Sequence, residues 1–372
     1  MLGSRLSVMA AVALTLLPLA CAAQNRAPSA DFELETVARG LEHPWAIAFL
    51  PDGHQLVTER AGRLRVIEDG ELVEQPVSGV PELVVSGQGG LLDLQLHPDF
   101  KQNRVLFLSY AHRNGAGMTT RVARGEYRDR RLHNVTVIFE AEPRSSTSRH
   151  FAGRMAIPDD GYLYIAVGDR GRKDRAQDFS DDAGGVHRIT LQGEVPDDNP
   201  FLDREDASPT LYTKGNRNIQ GMTLHPETGA IWSHEHGPRG GDEINIIEAG
   251  TNYGWPEITY GIDYSGVPIT DRTRKEGMAQ PLHYWDPSIA PSGMAFYTGD
   301  DFPQWRGDLF VGALKMRKLV RLEFDGTEVT NEEDLLTGFD ERIRDVAMGP
   351  DGHLWLLTDA PDGRVIRIVP AQ

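Results

Sequence analysis

The chain has 372 residues, and 38 Lys plus Arg against 55 Asp plus Glu give a net charge of −17. With 40% hydrophobic and 8% aromatic residues it carries enough apolar material for a core, which excludes a largely disordered chain. The acidic balance argues against nucleic acid and against an electrostatic membrane-surface role, because phosphate-bearing partners would be repelled.

In chain order, a single cation, Arg5, precedes an apolar run over 8–19. The run is too short to span a bilayer, and Ala20-Cys21-Ala22 after it fits a small-residue cleavage site. Residues 1–22 therefore read as a secretory signal peptide, which predicts bacterial export to the periplasm or beyond. Cys21 is the only cysteine and sits at this junction. Soluble export is preferred to a lipid anchor on Cys21 as an outer-membrane lipoprotein, because Pro18 stands where a large aliphatic residue is usual. The folded part has no disulfide, and no second run of spanning length follows. Residues 23–30 read as a polar linker, and 31–372 as one domain.

That domain is a repeat. Six times a Pro/Asp/Gly-type turn precedes a short alternating strand, as at Pro51-Asp52-Gly53, Pro98-Asp99, Pro158-Asp159-Asp160-Gly161, Pro226-Glu227-Thr228-Gly229, Asp300-Asp301-Phe302-Pro303 and Pro350-Asp351-Gly352. The strands read HQLVTE, RVLFLSY, YLYIAVGD, AIWSHEHG, DLFVGAL and HLWLLTD, and a second strand soon follows most of them. Helical periodicity is absent beyond the signal segment. Six units of about 57 residues suit four-stranded blades, so an all-β, six-bladed β-propeller is predicted, with the early strand at 31–38 closing the last blade. A stacked sandwich is the alternative.

Four polar, glycine-rich segments lie between strands: SGQGGLL at 86–92, RHFAGR at 149–154, GNRNIQG at 215–221 and HEHGPRGGDEIN at 234–245. In a propeller such loops crown the channel and carry function. There is no P-loop, no dinucleotide fingerprint, no G-x-S-x-G and no H-E-x-x-H.

With GQGGLLDLQLHPDF at 87–100, GEVPDDNPF at 193–201, EHGPRGGDEINIIEAGTNYGWP at 235–256, WDPSIAPSGMAFY at 285–297, GALK at 312–315 and RIRDVAMGPDG at 342–352, the segments extend to nearly the whole mature chain. In this the chain resembles the soluble pyrroloquinoline quinone (PQQ)-dependent aldose sugar dehydrogenases. The resemblance implies oxidation of an aldose at its anomeric carbon to a lactone, with hydride to PQQ and electrons to an external acceptor. It implies His150 as general base, Asp169 as the carboxylate that orients it, and Arg217 as the cation beside the quinone oxygen. Gln88, Asn218, Tyr264, Lys315, Arg342 and Arg344 are implied as further cofactor contacts. The Gly237-Pro238 turn is implied to hold a catalytic Ca²⁺ through carbonyls, and Glu243 with the Tyr253 carbonyl a second, structural one. Arg149 departs from the Asp or His usual before the family's histidine, which bears on substrate preference. His234 and His236, two apart, suggest a transition-metal chelate by spacing alone, which the resemblance disfavours.

Two other functions fit a propeller. A calcium-dependent lactonase or hydrolase predicts metal-ligating carboxylates around the channel and no need for Lys315, Arg342 and Arg344. A non-catalytic propeller that binds a glycan or partner has no need for His150.

Overall fold

The computed structural model describes residues 30–115 and 117–371. The predicted signal peptide with Cys21, and the linker as far as residue 29, lie outside them. The described chain forms six four-stranded antiparallel sheets, each made of consecutive strands except one. The inner strands are Pro44–Phe49, Leu91–Leu96, Ala152–Ala156, Ile219–Leu224, Pro291–Phe296 and Ile343–Met348. Each packs against the next around the ring, and the sixth packs against the first. In the exceptional sheet Phe32–Leu41 pairs with Gly363–Pro370, so the start of the domain completes blade six and closes the ring. This is the predicted six-bladed propeller.

The six turn-following strands become the second strands of their blades: Gln55–Glu59, Val105–Asn114, Tyr162–Val167, Ile231–Glu235, Leu309–Ala313 and Leu354–Thr358. They are buried nearly throughout because both faces lie between blades and are filled largely by Leu, Ile, Val and aromatic residues. Six apolar clusters fill the six inter-blade spaces. One joins Leu56 and Leu64 of blade one to Leu94 and Tyr110 of blade two. Another joins Leu41 and Val365 of blade six to Val57 and Ile67 of blade one, across the closing seam. Among the described residues, helix is confined to Phe100–Asn103 and two short 3₁₀ turns.

The inner strands obey a different rule, because they face the channel. Arg154 of blade three crosses it. Its Nη2 lies 2.7 Å from Asp345 Oδ1 of blade six and its Nη1 3.3 Å from Asp93 Oδ1 of blade two. Its Nε donates to the Gln220 carbonyl of blade four at 2.7 Å, and its guanidinium lies 4.1 Å from the Trp45 ring of blade one. Asp93 also accepts the Met155 N–H at 2.7 Å. Burial pushes Asp345 up to about 6 and also raises Asp93, against the pull of Arg154. This ionic plug separates the cavities at the two mouths of the channel.

Removing the cation while leaving two buried carboxylates is the costly half of a buried ion pair. Arg154→Met is expected to lower unfolding free energy by about 3–5 kcal/mol, measured by urea denaturation. A carboxyl whose folded pKa is raised contributes stability at low pH and loses it as pH rises through that pKa. The deficit is therefore expected to be smaller near pH 5 than near pH 8.

Candidate active site

At the mouth where the inner strands begin, the chain enters blade three through RHFAGR. His150 has φ 50° and Ala152 φ 52°, both left-handed for residues with side chains, a strain that surrounding structure must hold. Gly168 permits it: a Cβ there would meet the His150 carbonyl. The His150 N–H donates to Gln88 Oε1 at 2.6 Å, so the Gly-rich loop of blade two fixes this backbone.

The His150 Nδ1 lies 2.6 Å from Asp169 Oδ1, just beyond the end of the second strand of blade three. Asp169 also accepts the Gly171 N–H at 2.7 Å and the Trp255 Nε1–H at 2.9 Å. Burial works to raise the Asp169 carboxyl. The bond from His150, the charge of Arg217 and the Gly171 amide outweigh it, and the net shift is downward. An ionised carboxylate only accepts, so Nδ1 carries the proton and Nε2 presents a lone pair. Burial lowers the His150 pKa, and Arg217 and Arg149 lower it further against the opposing effect of Asp169.

Blade four supplies the adjoining wall. Glu235 ends its second strand, whereas Asp169 lies two residues beyond the end of the second strand of blade three. It accepts the backbone N–H groups of Arg217 and Asn218, the latter at 3.1 Å, and Asn216 Nδ2 at 3.2 Å. Burial pushes Glu235 up to about 7 against these bonds. The Arg217 guanidinium donates to the carbonyls of His236 at 2.8 Å and Gly237 at 3.1 Å, and lies 5.3 Å from the Trp255 ring. Trp255 therefore touches both Asp169 and Arg217. The Gly237 N–H donates to Asp242 Oδ1 at 2.9 Å, and a Cβ on Gly237 would meet the Gly240 carbonyl, so this turn needs glycine.

A cavity of about 190 Å³ adjoins these walls, lined by Phe151 and Ala152 next to His150 and by Asn218 next to Arg217, while His150, Asp169 and Arg217 themselves lie outside its lining. It brings together Gln88, Asn218, Arg342 and Arg344 from the sequence reading, and adds Arg60, Trp45, Gln220 and Asp359. Arg344 donates to Gln220 Oε1 at 3.1 Å, and burial lowers its pKa to about 10. Lys315 is exposed, directly after the cavity-lining Leu314. Tyr264 is 66% exposed on the turn where Ile262 bridges Pro268, and the structure does not bring it to this cavity. Arg149 is exposed beside His150. His234 and His236 do not pair as a chelate. His236 faces the cavity with Nε2 2.5 Å from the Pro291 carbonyl, while His234 is buried against Gly221. Burial lowers His236 to about 3.

Arg60, Trp255, Glu235 and Asp359 were missed in the sequence. For the acids the signal was the repeat itself: LVTE, AVGD, WSHE and LLTD stand at the close of the second strands, with Glu59 and Glu235 as last strand residues and Asp169 and Asp359 just after.

The residues fit the implied groups. Guanidinium and amide groups on several sides suit a planar polycarboxylate. Glu243 faces Glu235 across paired strands; Glu235 is buried and Glu243 half-buried. Burial, then the charges of Glu235 and Asp242, hold Glu243 well above the carboxylate range, opposed only by a 3.4 Å bond from Asn245. Two such carboxylates suit a hard cation. Among the described residues no group of three or more His, Cys, Asp or Glu is placed to hold a metal, so carbonyl oxygens must complete any such site.

A family model described as Glucose / Sorbosone dehydrogenase matches residues 41–367. The chain is 44% identical over 362 residues to the aldose sugar dehydrogenase YliI of Escherichia coli K12, covering 95% of this chain and 98% of that one. A crystal structure of a glucose dehydrogenase superposes with a TM-score of 0.89 at 46% identity, over 91% of this chain and 100% of that one. The PQQ-bound aldose sugar dehydrogenase of Streptomyces coelicolor superposes with a TM-score of 0.75 at 28% identity, over 92% and 99%.

Because Asp169 raises the His150 pKa while burial lowers it, Asp169→Asn is expected to move the His150 imidazole titration to still lower pH. The NMR titration of the His150 ring protons in the unliganded protein measures this, and an upward movement would contradict the assigned pairing.

Proposed function

Since the chain belongs to the glucose/sorbosone dehydrogenase family, we propose that it is a PQQ- and calcium-dependent aldose sugar dehydrogenase. It oxidises the anomeric carbon of aldoses to a lactone and delivers electrons to an external acceptor. The observation that carries this reading is the buried His150–Asp169 pair beside a cavity lined by arginines and amides. PQQ, when bound, supplies a hydride acceptor, and Ca²⁺ beside it a Lewis acid.

In this reading His150 Nε2 takes the proton of the anomeric hydroxyl. Its depressed pKa keeps the imidazole neutral at working pH, as a base must be. Asp169 holds the tautomer and stabilises the imidazolium that forms. Trp255 keeps the second Asp169 oxygen in place. Arg217 offers fixed positive charge where negative charge develops. Arg342, Arg344 and Lys315 would hold the cofactor carboxylates, with Gln88 and Asn218 as amide contacts. The Gly237 and Pro238 carbonyls would hold the catalytic cation, and Glu243 with the Tyr253 carbonyl the structural one. Tyr264, on its exposed turn, is left without a role at this cavity.

The lactonase reading expects a ring of metal-ligating carboxylates, whereas the cavity presents guanidinium and amide groups. A mere binding module has no need for His150, so retention of function in His150→Ala would favour that reading. Among the described residues no helix is long and apolar enough to cross a membrane. With 1–22 read as a signal, the proposed location is the periplasm, lipid-anchored only if Cys21 is acylated.

His150→Ala is expected to bind PQQ and yet lose about 10²–10⁴-fold in sugar oxidation at saturating cofactor. Lys315→Ala and Arg342→Ala are expected to weaken PQQ binding instead, with rate partly recovered by excess cofactor. Absorbance titration with PQQ and stopped-flow reduction by aldoses separate the two. A wild-type rate in PQQ-saturated His150→Ala would remove His150 as the base.

Calcium is expected to raise the melting temperature and to be required for quinone-dependent oxidation, because an ion bound only by the folded state stabilises it. Exhaustive chelation followed by calorimetry and a dye-coupled assay measures both. An unchanged melting temperature and rate would overturn the calcium assignment.

A further inference from the structure

The closing seam of the ring holds a second His–Asp pair. His43 Nδ1 lies 2.7 Å from Asp359 Oδ1, against 2.6 Å for His150 and Asp169. The repeat makes the two pairs equivalent. His43 stands eight residues before Pro51, and His150 eight before Pro158. Both have left-handed backbones, at φ 48° and 50°. Asp359 and Asp169 both follow the second strand of a blade.

The surroundings differ. Asp169 is closed off by Gly171 and Trp255, whereas Asp359 faces the cavity and two guanidinium groups. Arg342 directs Nε and Nη2 to Asp359 Oδ2, each at 3.0 Å, and Arg344 Nη2 lies 3.9 Å from the same oxygen. Burial acts to raise Asp359, but Arg344, His43 and Arg342 bring it down to about 2. The carboxylate is 9% exposed and the Arg342 side chain 43%. Apart from Asp359, Arg342 donates from Nη1 to the Leu314 carbonyl at a longer 3.3 Å, so without the carboxylate its restraint is much reduced.

We propose that Asp359, anchored by His43, is a positioning residue that holds Arg342 and Arg344 in the cavity in the geometry that receives the carboxylates of the cofactor. The inference rests on the function proposed above. It has a counter-intuitive sign. An anionic side chain beside an anion-binding site opposes that anion by simple charge, so a mere counter-charge predicts tighter binding when Asp359 is neutralised. Positioning predicts the reverse, because an arginine released to solvent must be ordered again on each binding event.

The experiment uses the full folded protein, wild type and the variants Asp359→Ala and Asp359→Asn. PQQ affinity is read by absorbance titration with calcium present. Asp359→Ala is expected to weaken binding about tenfold, and Asp359→Asn less, since its amide oxygen still accepts. In an Arg342→Ala background the Asp359→Ala change is expected to cost much less, because the group it acts through is gone. Tighter binding in either variant, or an undiminished loss in the Arg342→Ala background, overturns the proposal. Should Asp359→Ala fail to fold, the near-isosteric Asn variant decides by the same sign. A second readout needs no cofactor: the Arg342 Nε–Hε resonance of unliganded protein is expected to be resolved in the wild type and lost in the variant. Failure of the wild type to bind PQQ would sink the cofactor reading, whereas an Arg342 resonance unchanged by Asp359→Ala would sink the positioning role.

Discussion

A propeller has to fill its axis, and here one arginine does so. Each blade presents its inner strand to the channel, where Asp93, Arg154 and Asp345 are all buried. Arg154 resolves the problem by touching blades one, two, four and six from its place on blade three. Blade five closes on the same group, since a Cβ at Gly293 would meet Asp345. The buried charges are costly on their own and tolerable only as a set. Hydrophobic burial between blades tolerates small rotations, whereas a hydrogen-bonded guanidinium does not. The plug therefore sets how the six inner strands stand relative to one another.

The mouth of the channel inherits that geometry. Trp45 and Gln220 belong both to the plug and to the cavity above it. His150 lies four residues before Arg154 on the same segment, so the strand carrying the plug also delivers the proposed base. Acids at or just beyond the ends of the second strands then orient groups in and beside the cavity: Asp169 holds His150, Glu235 holds the backbone of Arg217 and Asn218, and Asp359 holds Arg342. The closing end of the second strand thus orients different groups in different blades. The chemistry differs because the neighbours differ.

This division explains the electrostatics of an acidic protein with a cationic pocket. A chain of net charge −17 receives an anion only where cations are gathered and held. Arg60, Arg217, Arg342 and Arg344 come from blades one, four and six, and their mutual repulsion is offset by buried carboxylates behind them. Long flexible side chains held in this way lose less freedom on binding.

By itself the sequence determined the all-β class, the six-fold count and the position of the second and third strands, because those strands sit between blades as short apolar runs after Pro/Asp/Gly turns. It also marked His150, Arg217 and Asn218, which lie in glycine-rich loops where polar residues have no packing reason to be. The inner strands were illegible: Asp93, Arg154 and Asp345 interrupt any apolar alternation because they face the channel, not a neighbouring blade. Trp255 reads locally as a core aromatic, and only the fold reveals its Nε1–H on Asp169, 86 residues away. Asp359 only closes the strand LLTD in the sequence, and Tyr264, implied as a cofactor contact by the resemblance, lies on an exposed turn. Tertiary structure decided these because ring closure juxtaposes side chains from blades that no local pattern connects. His43 meets Asp359 across 316 residues only when the first strand of the domain completes the last blade.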